Sequence, residues 1–156
     1  MSDRGHDLIQ QLGLAPHPEG GHYREVHRAE QRVRRGDDDR SALTVIHFLL
    51  RESECSRWHV VESDEVWHFD EGAPLRLITF DPATGVREDV TLGPLESGAV
   101  PLHVVPAGVW QAAVADGAYT LVSCAVGPGF EFDDFAFVRD IDGAAPRLEA
   151  RDHAWL

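Results

Sequence analysis

The sequence of 156 residues contains no apolar run as long as the roughly 20 residues that a membrane-spanning helix requires. The segment from Met1 to Asp7 also lacks the apolar core of a signal peptide. These two absences argue against insertion into a membrane and against export. We therefore expect a cytoplasmic protein that has no membrane partner.

Cysteine is scarce in this chain. Cys55 and Cys124 are the two that occur, and neither belongs to a CxxC pair. This usage is incompatible with a zinc finger and with a small scaffold held together by disulfides. We interpret both as buried, inert thiols, because a free cysteine commonly packs as a small hydrophobic residue.

Positive charge is also in short supply, with 14 Lys and Arg against 27 Asp and Glu and a formal net charge of −13. Such a chain repels phosphate backbones and anionic membranes over a Debye length of ~10 Å at moderate salt. A nucleic-acid partner is therefore not expected. The arginines between Arg28 and Arg40 are interleaved with acids such as Asp37, Asp38 and Asp39, and this mixture predicts a solvated loop.

Composition and length indicate a single domain, since 43% hydrophobic residues in a chain of this size can bury one core but hardly two. Near the start, the spacing of Leu8, Ile9 and Leu12 predicts a short helix with one apolar face. Asp7 is the expected cap of this helix, and Gly13 marks its expected end.

Beyond the helix, alternation of apolar and polar residues predicts many short strands separated by turn residues. The segment 42–50 is apolar on both faces, so we expect it to be central. Strands at this spacing indicate an all-β sandwich or barrel. We assign residues 1–140, including the helix, to this domain and residues 141–156 to a loosely packed C-terminal extension. The predicted strands are 22–27, 42–50, 58–61, 65–69, 75–80, 86–92, 100–105, 109–115, 119–126 and 135–138.

Two motifs hold the residues that could carry chemistry. In the first, His59 is followed by Glu65 after five residues and by Gly72 after six more. In the second, a Pro-x-Gly turn at 106–108 is followed by the polar residue Gln111. Together they resemble the two signature motifs of the cupin superfamily.

The resemblance covers most of the chain, from the segment 17–21 to the segment 128–135. Within the superfamily, the sequence most resembles a branch of small single-domain cupins labelled as a domain of unknown function. It implies a cupin jelly-roll β-barrel with a short N-terminal helix, a pocket for a small-molecule ligand, and a homodimer. In that branch the segment after residue 17 lines or closes the pocket. The resemblance therefore implies that Glu19, Tyr23, Arg24 and Glu25 contact the substrate, with Arg24 suited to hold a carboxylate or phosphate.

Metal-binding cupins usually carry a second histidine two residues after the first and another in the second motif. Val61 and Gln111 occupy those places here. The metal hypothesis consequently uses His59, Glu65 and Gln111 as ligands of a divalent metal ion, with water completing the coordination.

The alternative is chemistry without a metal, because histidine titrates near neutral pH and a neighbouring carboxylate can orient it and raise its basicity. In this interpretation His59 is the catalytic base and Glu65 its orienting group in an enzyme of isomerase or epimerase type. Gln111 would help to orient the ligand, and Trp58 and Trp67 would form a stacking wall for it.

Three further interpretations stay open. The pocket could serve a binding or sensor protein without catalysis, or a metal-dependent oxygenase or hydrolase. The buried histidine and glutamate could also form a satisfied hydrogen-bond network that has no chemical role. The aromatic run Phe130, Phe132, Phe135 and Phe137 is expected to seal the core or a subunit contact.

Overall fold

The computed structural model describes residues 3–156. A single α-helix in this range, α1 (Arg4–Leu12), opens the chain. The side chain of Asp3 accepts a hydrogen bond from the backbone N–H of His6, and Gly13 ends the helix in the left-handed conformation. The helix is thus confirmed, but its cap is Asp3, and the expected cap Asp7 lies in the first turn.

The remainder of the described chain is built mainly from strands. Five short 3₁₀ helices lie between or after them, at Leu95–Ser97, Phe132–Asp134, Val138–Asp140, Ala145–Arg147 and Ala150–Trp155. The strands are β1 (Ala15–Pro16), β2 (His22–Arg28), β3 (Arg32–Arg35), β4 (Asp38–Ser41), β5 (Thr44–Arg51), β6 (Cys55–Val61), β7 (Asp64–Gly72), β8 (Leu75–Phe80), β9 (Arg87–Leu92), β10 (Leu102–Val105), β11 (Trp110–Ala115), β12 (Tyr119–Gly127) and β13 (Phe135–Phe137).

Eleven of these strands form two facing antiparallel sheets, and β3 and β4 form a separate two-stranded sheet. The six-stranded sheet has the order β1-β2-β5-β12-β7-β10, and the five-stranded sheet has the order β13-β6-β11-β8-β9. The predicted all-β jelly roll is confirmed, although in the described residues hydrogen bonding does not close the two sheets into one barrel. No helix within residues 3–156 has the length and apolar character needed to cross a membrane.

The arginine-rich segment that was expected to be a solvated loop is a β-hairpin made of β3 and β4. Its backbone pairs in register, and the guanidinium groups of Arg35 and Arg40 each reach Asp134 at 2.9 Å. The loop prediction is wrong here because the opposite charges pair with one another and with Asp134. The hairpin therefore needs little apolar burial of its own.

The main core lies between the two sheets, where alternate residues of each strand point inward. Phe48 and Leu50 of β5, Trp67 of β7 and Leu77 of β8 are buried there. Toward one end of the sandwich the inward positions become polar, and the cavity described below lies at this end.

The last residues pack on the outer face of the five-stranded sheet. Ala144 and Leu148 are buried against Trp58 of β6 and neighbouring apolar side chains. Asp152 is buried as well and accepts two hydrogen bonds from Arg87, at 2.7 and 2.9 Å. The expectation of a loosely packed tail is therefore wrong, because a buried ion pair and apolar contacts hold it to the sheet.

Candidate functional site

A cavity of about 240 Å³ lies between the inner faces of the two sheets. Two imidazoles and two carboxyl groups line its interior, and four aromatic rings surround it. Glu25, Arg28 and Glu131 lie on its more exposed side, which we call the mouth. The interior polar residues are His17, Glu19, His59 and Glu65, and the aromatic residues are Tyr23, Phe130, Phe132 and Phe135.

His59 reaches the cavity from β6 of the five-stranded sheet, and its imidazole is almost completely buried. Its Nδ1 lies 2.7 Å from the backbone carbonyl of Arg57. A carbonyl oxygen can only accept a hydrogen bond, so Nδ1 carries the proton and donates it to Arg57. The other ring nitrogen, Nε2, therefore carries a lone pair and can accept a hydrogen bond. The ring also stacks on Phe135, with centroids 5.3 Å apart.

Nε2 of His59 faces the carboxyl group of Glu19, whose Oε2 lies 3.1 Å away. Glu19 comes from the loop before β2, and this loop is held on β6 because the N–H of Arg57 donates to the carbonyl of Glu19 at 2.8 Å. Gly20 follows with φ +112, and a Cβ atom there would lie 2.0 Å from the carbonyl oxygen of Cys55. The loop thus approaches the strand closely enough to require glycine.

The protonation of this pair follows from its burial. Burial raises the pKa of Glu19 to about 8 and lowers the pKa of His59 below its usual value of 6.5. Both groups therefore favour their neutral forms at neutral pH. A neutral carboxyl group donates a hydrogen bond, and the Nε2 of a neutral imidazole protonated at Nδ1 accepts one. At 3.1 Å from Nε2 of His59, the neutral carboxyl group of Glu19 is therefore placed to donate a hydrogen bond to the imidazole.

Glu65 enters the cavity from β7 of the six-stranded sheet, so it faces the ligand space from the sheet that does not carry His59. Burial raises the pKa of Glu65 to about 7, and the nearby Glu19 also raises it. The amide of Gln111 donates to Glu65 at 2.7 Å, and the Cys124 thiol also forms a hydrogen bond with this carboxyl group. These hydrogen bonds oppose the effect of burial because they favour the ionised carboxylate.

Gln111 connects Glu65 to the core. The indole N–H of Trp67 lies 2.8 Å from the side-chain oxygen of Gln111. An indole N–H can only donate, so the oxygen of Gln111 faces Trp67 and its NH₂ group faces Glu65. Trp67, Gln111 and Glu65 thus form one directed chain of buried hydrogen bonds that fixes the position of the carboxyl group.

His17 is the second imidazole of the cavity, and the sequence motifs did not indicate it. Its Nδ1 accepts a hydrogen bond from the backbone N–H of Glu19 at 3.1 Å. Burial, together with the neighbouring His59, lowers the pKa of His17 to about 4. The ring is therefore neutral at neutral pH and orients the loop that carries Glu19.

The structure brings together several of the residues indicated by the sequence. Glu19, Tyr23, His59 and Glu65 line the cavity, and Gln111 lies directly behind Glu65. The acidic partner that lies at hydrogen-bonding distance from His59 is Glu19, whereas Glu65 makes its hydrogen bonds with Gln111 and Cys124.

Three other indicated residues lie outside the cavity. Arg24 points to the outer face of β2, where its guanidinium donates to the carbonyl of Leu12 at the end of α1. Trp58 lies on the outer face of β6 and donates to the backbone carbonyl of Asp152. Trp67 lies between the sheets in the core. Alternation along a strand explains the first two, because each neighbours a residue that points inward.

The aromatic wall of the cavity is formed instead by Tyr23, Phe130, Phe132 and Phe135. The phenylalanines were expected in the core or at a subunit contact, because nothing in the local pattern places them beside His59. Their position depends on the pairing of β13 with β6, which sets Phe135 opposite Val61. A mixture of acids and phenylalanines at 130–135 is the signal that could have identified them.

The donor atoms of the predicted ligand set are not oriented to hold a metal ion. Of His59, Glu65 and Gln111, the last directs its oxygen to Trp67 and its NH₂ group to Glu65, and an amide NH₂ does not coordinate metal ions. Val61 has no donor atom in its side chain. Of the predicted set, His59 and Glu65 alone are thus left as possible ligands, fewer than the three protein ligands of a typical catalytic zinc site.

Among residues 3–156, one group of three side chains brings possible ligand atoms within 4.8 Å of one another, namely Asp38, Glu62 and Asp134. This group lies outside the cavity. Its buried member, Asp134, is already paired with Arg35 and Arg40. Arg35 also lies 3.5 Å from both Asp38 and Glu62, so each of the three acids is paired with arginine and the group forms part of the anchor of the hairpin.

Comparison with known proteins places this geometry in a family. A protein-family model described as cupin superfamily (DUF985) matches residues 6–138 of this chain. A hypothetical protein from Leishmania major is 34% identical with a TM-score of 0.86, over 96% of this chain and 97% of that one. A crystal structure from Shewanella oneidensis is 37% identical with a TM-score of 0.76, over 84% of this chain and 82% of that one.

More distant structures share only the fold. Oxalate decarboxylase from Bacillus subtilis aligns with a TM-score of 0.60 at 14% identity, over 80% of this chain and 30% of that one. Among curated proteins, no relative matches the sequence.

Proposed function

The chain belongs to the DUF985 family of the cupin superfamily, and from this premise we propose that it is an acid–base enzyme of isomerase or epimerase type. Its substrate would be a small polar molecule bound in the cavity between the sheets. The observation that carries the proposal is the hydrogen-bonding distance of 3.1 Å between His59 and Glu19, both buried in the cavity wall. A cavity with two protonatable groups of perturbed pKa is typical of an active site.

The cavity contains two separate proton-transfer groups. One is the pair formed by His59 and Glu19, in which the neutral Glu19 holds a proton, and the other is Glu65 on the opposite sheet. Because burial raises the pKa of Glu65 to about 7 and that of Glu19 to about 8, one acid can be ionised while the other retains its proton near neutral pH. In the proposal Glu65 is the base, and the pair of Glu19 and His59 is the acid.

An isomerisation or epimerisation requires both roles in one site. In the proposed reaction the Glu65 carboxylate takes a proton from a carbon beside a carbonyl group, and the electron pair of the C–H bond moves toward the carbonyl oxygen. The pair of Glu19 and His59 then delivers its proton to the resulting enolate from the other sheet. Atoms and electrons balance without an oxidant or a reductant. The product leaves with one proton exchanged, and solvent restores the starting protonation.

The fixed orientation of His59 supports this role. The carbonyl of Arg57 holds the Nδ1–H group, so Nε2 remains directed at Glu19 and the cavity. A purely structural histidine could be satisfied by the same backbone contact alone. The second contact, at 3.1 Å, holds the carboxyl group of Glu19 beside Nε2 in the wall of the cavity.

The test is isotope exchange. The protein is incubated in D₂O with a panel of small carbonyl compounds and sugars, and deuterium at carbon is measured by NMR and mass spectrometry. We expect at least one compound to acquire deuterium. Because general acid–base groups contribute about 10²–10⁴-fold to rate, His59→Gln and Glu65→Gln should each slow this exchange by about 100-fold or more.

His68→Gln is the matched control, because His68 lies on β7 but points to the outer face and is exposed. It should exchange at the same rate as the unmodified protein. A compound that binds in the cavity but is recovered without deuterium would contradict the proposal and favour a binding or sensor protein. Equal rates in His59→Gln and His68→Gln would also contradict it.

A further inference from the structure

We infer that the substrate of this cavity carries an organic ammonium group, which binds between the acids of the mouth and the aromatic rings that surround the cavity. This inference deepens the proposed function, because it uses the same cavity, but it concerns binding rather than proton transfer. It depends on the charge of the lining, on the aromatic rings and on the absence of an available cation.

The lining of the cavity is dominated by acids. Four glutamates line it, and Arg28 is the one arginine or lysine among the lining residues that the structure describes. The guanidinium group of Arg28 is already occupied, because it donates to Glu25 at 2.7 and 3.2 Å and to Glu131 at 2.9 Å. It also donates to the carbonyl of Phe130. The mouth therefore retains one negative charge after Arg28 has been neutralised.

Neither imidazole supplies a positive charge at neutral pH, because burial lowers the pKa of His17 to about 4 and lowers that of His59 as well. Arg24, which could have held an anion, donates to Leu12 on the outer face of β2. A carboxylate or phosphate ligand would thus meet acids without an available cation. Since the whole chain has a net charge of −13, its long-range field also repels anions and attracts cations.

The aromatic rings supply the second half of a cation site. Phe130, Phe132 and Phe135 line the cavity, with neighbouring centroids 5.0 to 6.3 Å apart. Phe132 is 51% exposed, so its ring is accessible from solvent. The faces of aromatic rings attract ammonium ions, and nearby carboxylates strengthen that attraction. The cavity of about 240 Å³ has roughly the volume of eight water molecules in the liquid, so a small ammonium compound fits.

The interior acids link cation binding to proton release. A cation near Glu65 and Glu19 favours their ionised forms, which burial alone disfavours. Binding should therefore release protons and strengthen as pH rises from about 6 to about 8. An uncharged ligand would cause no such release.

Choline and its uncharged carbon isostere 3,3-dimethylbutan-1-ol, with butyrate as an anionic probe, test the inference by isothermal titration calorimetry. Choline should bind about tenfold or more tightly than the uncharged isostere, and butyrate should bind weakest. Repeating the titration in buffers of different ionisation enthalpy should show proton release with choline alone.

Reversing the charge of the mouth tests the role of its acids. In Glu25→Gln/Glu131→Gln the guanidinium of Arg28 is no longer neutralised, so choline binding should weaken by about tenfold or more and butyrate binding should improve. Glu96→Gln/Glu149→Gln removes the same charge from exposed positions outside the cavity and should leave both affinities unchanged.

The inference is overturned if the uncharged isostere or butyrate binds as tightly as choline. It is also overturned if choline fails to bind at high millimolar concentration, or if the mouth variant and its control behave alike. Because these measurements report binding alone, such a result leaves the proposed proton transfer standing. Conversely, a failed isotope exchange with intact choline binding would refute the proposed function and not this inference.

Discussion

Nε2 of His59 lies 3.1 Å from Oε2 of Glu19, and both side chains are buried in the wall of the same cavity. The histidine comes from the first motif, whereas the glutamate comes from a loop near the start of the chain. Because the carbonyl of Arg57 fixes the imidazole, Nε2 is the ring nitrogen that faces Glu19. This pair, with Glu65 on the other sheet, accounts for the chemistry that we propose.

The stability of the protein should depend on pH through Glu19. Burial raises the pKa of Glu19 to about 8 in the folded protein, above its usual value of 4.5. Between these values the folded state holds a proton that the unfolded state has lost, so this group makes the protein less stable as pH rises. Glu19→Gln removes the titration and still presents an N–H donor to His59. The variant should therefore gain stability relative to the unmodified protein between pH 6 and pH 8, by up to ~1.4 kcal/mol per pH unit.

Urea denaturation at several pH values measures this difference. Glu52→Gln provides the control, because Glu52 is exposed, and its stability should follow that of the unmodified protein at every pH. If the difference between Glu19→Gln and the unmodified protein does not change with pH, Glu19 is ionised in the folded state and does not donate to His59.

Gln111 should be important for stability because it satisfies two buried groups at once. In Gln111→Leu, the indole N–H of Trp67 and the carboxyl group of Glu65 would each lose the hydrogen bond that they form with the Gln111 side chain. An unsatisfied buried polar group costs about 1–3 kcal/mol, so the free energy of unfolding should fall by about 2–4 kcal/mol. The pKa of Glu65 should rise further, because a hydrogen bond that favours its ionised form is lost.

The control for Gln111→Leu is Gln11→Leu, which makes the same chemical change at an exposed position of α1. Its effect on the free energy of unfolding should stay within about 0.5 kcal/mol. A loss as small as this in Gln111→Leu, measured by urea denaturation, would show that the directed chain from Trp67 to Glu65 does not stabilise the fold.

Much of the fold followed from local pattern. The alternation at 75–80 predicted β8 with the bounds that the structure has, and most of the other predicted strands differ from the observed ones by a few residues. The hairpin of β3 and β4 could not be predicted in this way, because its strands consist mostly of charged residues and do not alternate between apolar and polar ones. Its stability depends on Asp134, which is far away in sequence.

The candidate site was only partly predictable for a related reason. Strand alternation indicates which residues share a face, but it does not indicate which partner each side chain meets across the cavity. The motif placed His59 and Glu65 together, yet the hydrogen-bonding distance of His59 to Glu19 depends on how a loop crosses β6. The pairing of β13 with β6 likewise decides that Phe135, rather than Trp58, stands beside the imidazole.

The loop that carries Glu19 should depend on Gly20. A Cβ atom at this position would lie 2.0 Å from the carbonyl oxygen of Cys55, and its φ of +112 is one that alanine rarely adopts. Gly20→Ala should therefore lower the free energy of unfolding by more than about 2 kcal/mol. Gly36→Ala is the matched control, since its φ is also positive, at +59, but no atom lies within 4 Å of the added Cβ.

In Gly36→Ala the free energy of unfolding should fall only by the cost of placing alanine in the left-handed conformation, which is about 1 kcal/mol. Both free energies are measured by urea denaturation at one pH. Equal losses in Gly20→Ala and Gly36→Ala would show that the contact with Cys55 relaxes freely and that the loop is not anchored on β6.

The donor atoms of the cavity predict how the protein responds to metal ions. Gln111 is committed to Trp67 and Glu65, Val61 has no donor atom, and among residues 3–156 the one group of three acids or histidines with ligand atoms within 4.8 Å of one another lies outside the cavity. Adding Mn²⁺ or Zn²⁺ should therefore not raise the melting temperature of the unmodified protein. The double variant Val61→His/Gln111→His supplies imidazoles at the two places where metal-binding cupins usually carry them. It should bind one ion per chain and gain about 2.7 kcal/mol of stability when the metal concentration is 100 times its dissociation constant.

Since replacing Gln111 also removes hydrogen bonds, each protein is compared with itself in chelator, and elemental analysis gives the stoichiometry. Stabilisation of the unmodified protein by either ion, with one ion per chain, would show that the cavity rearranges to bind metal and that our assignment of the Gln111 amide is wrong.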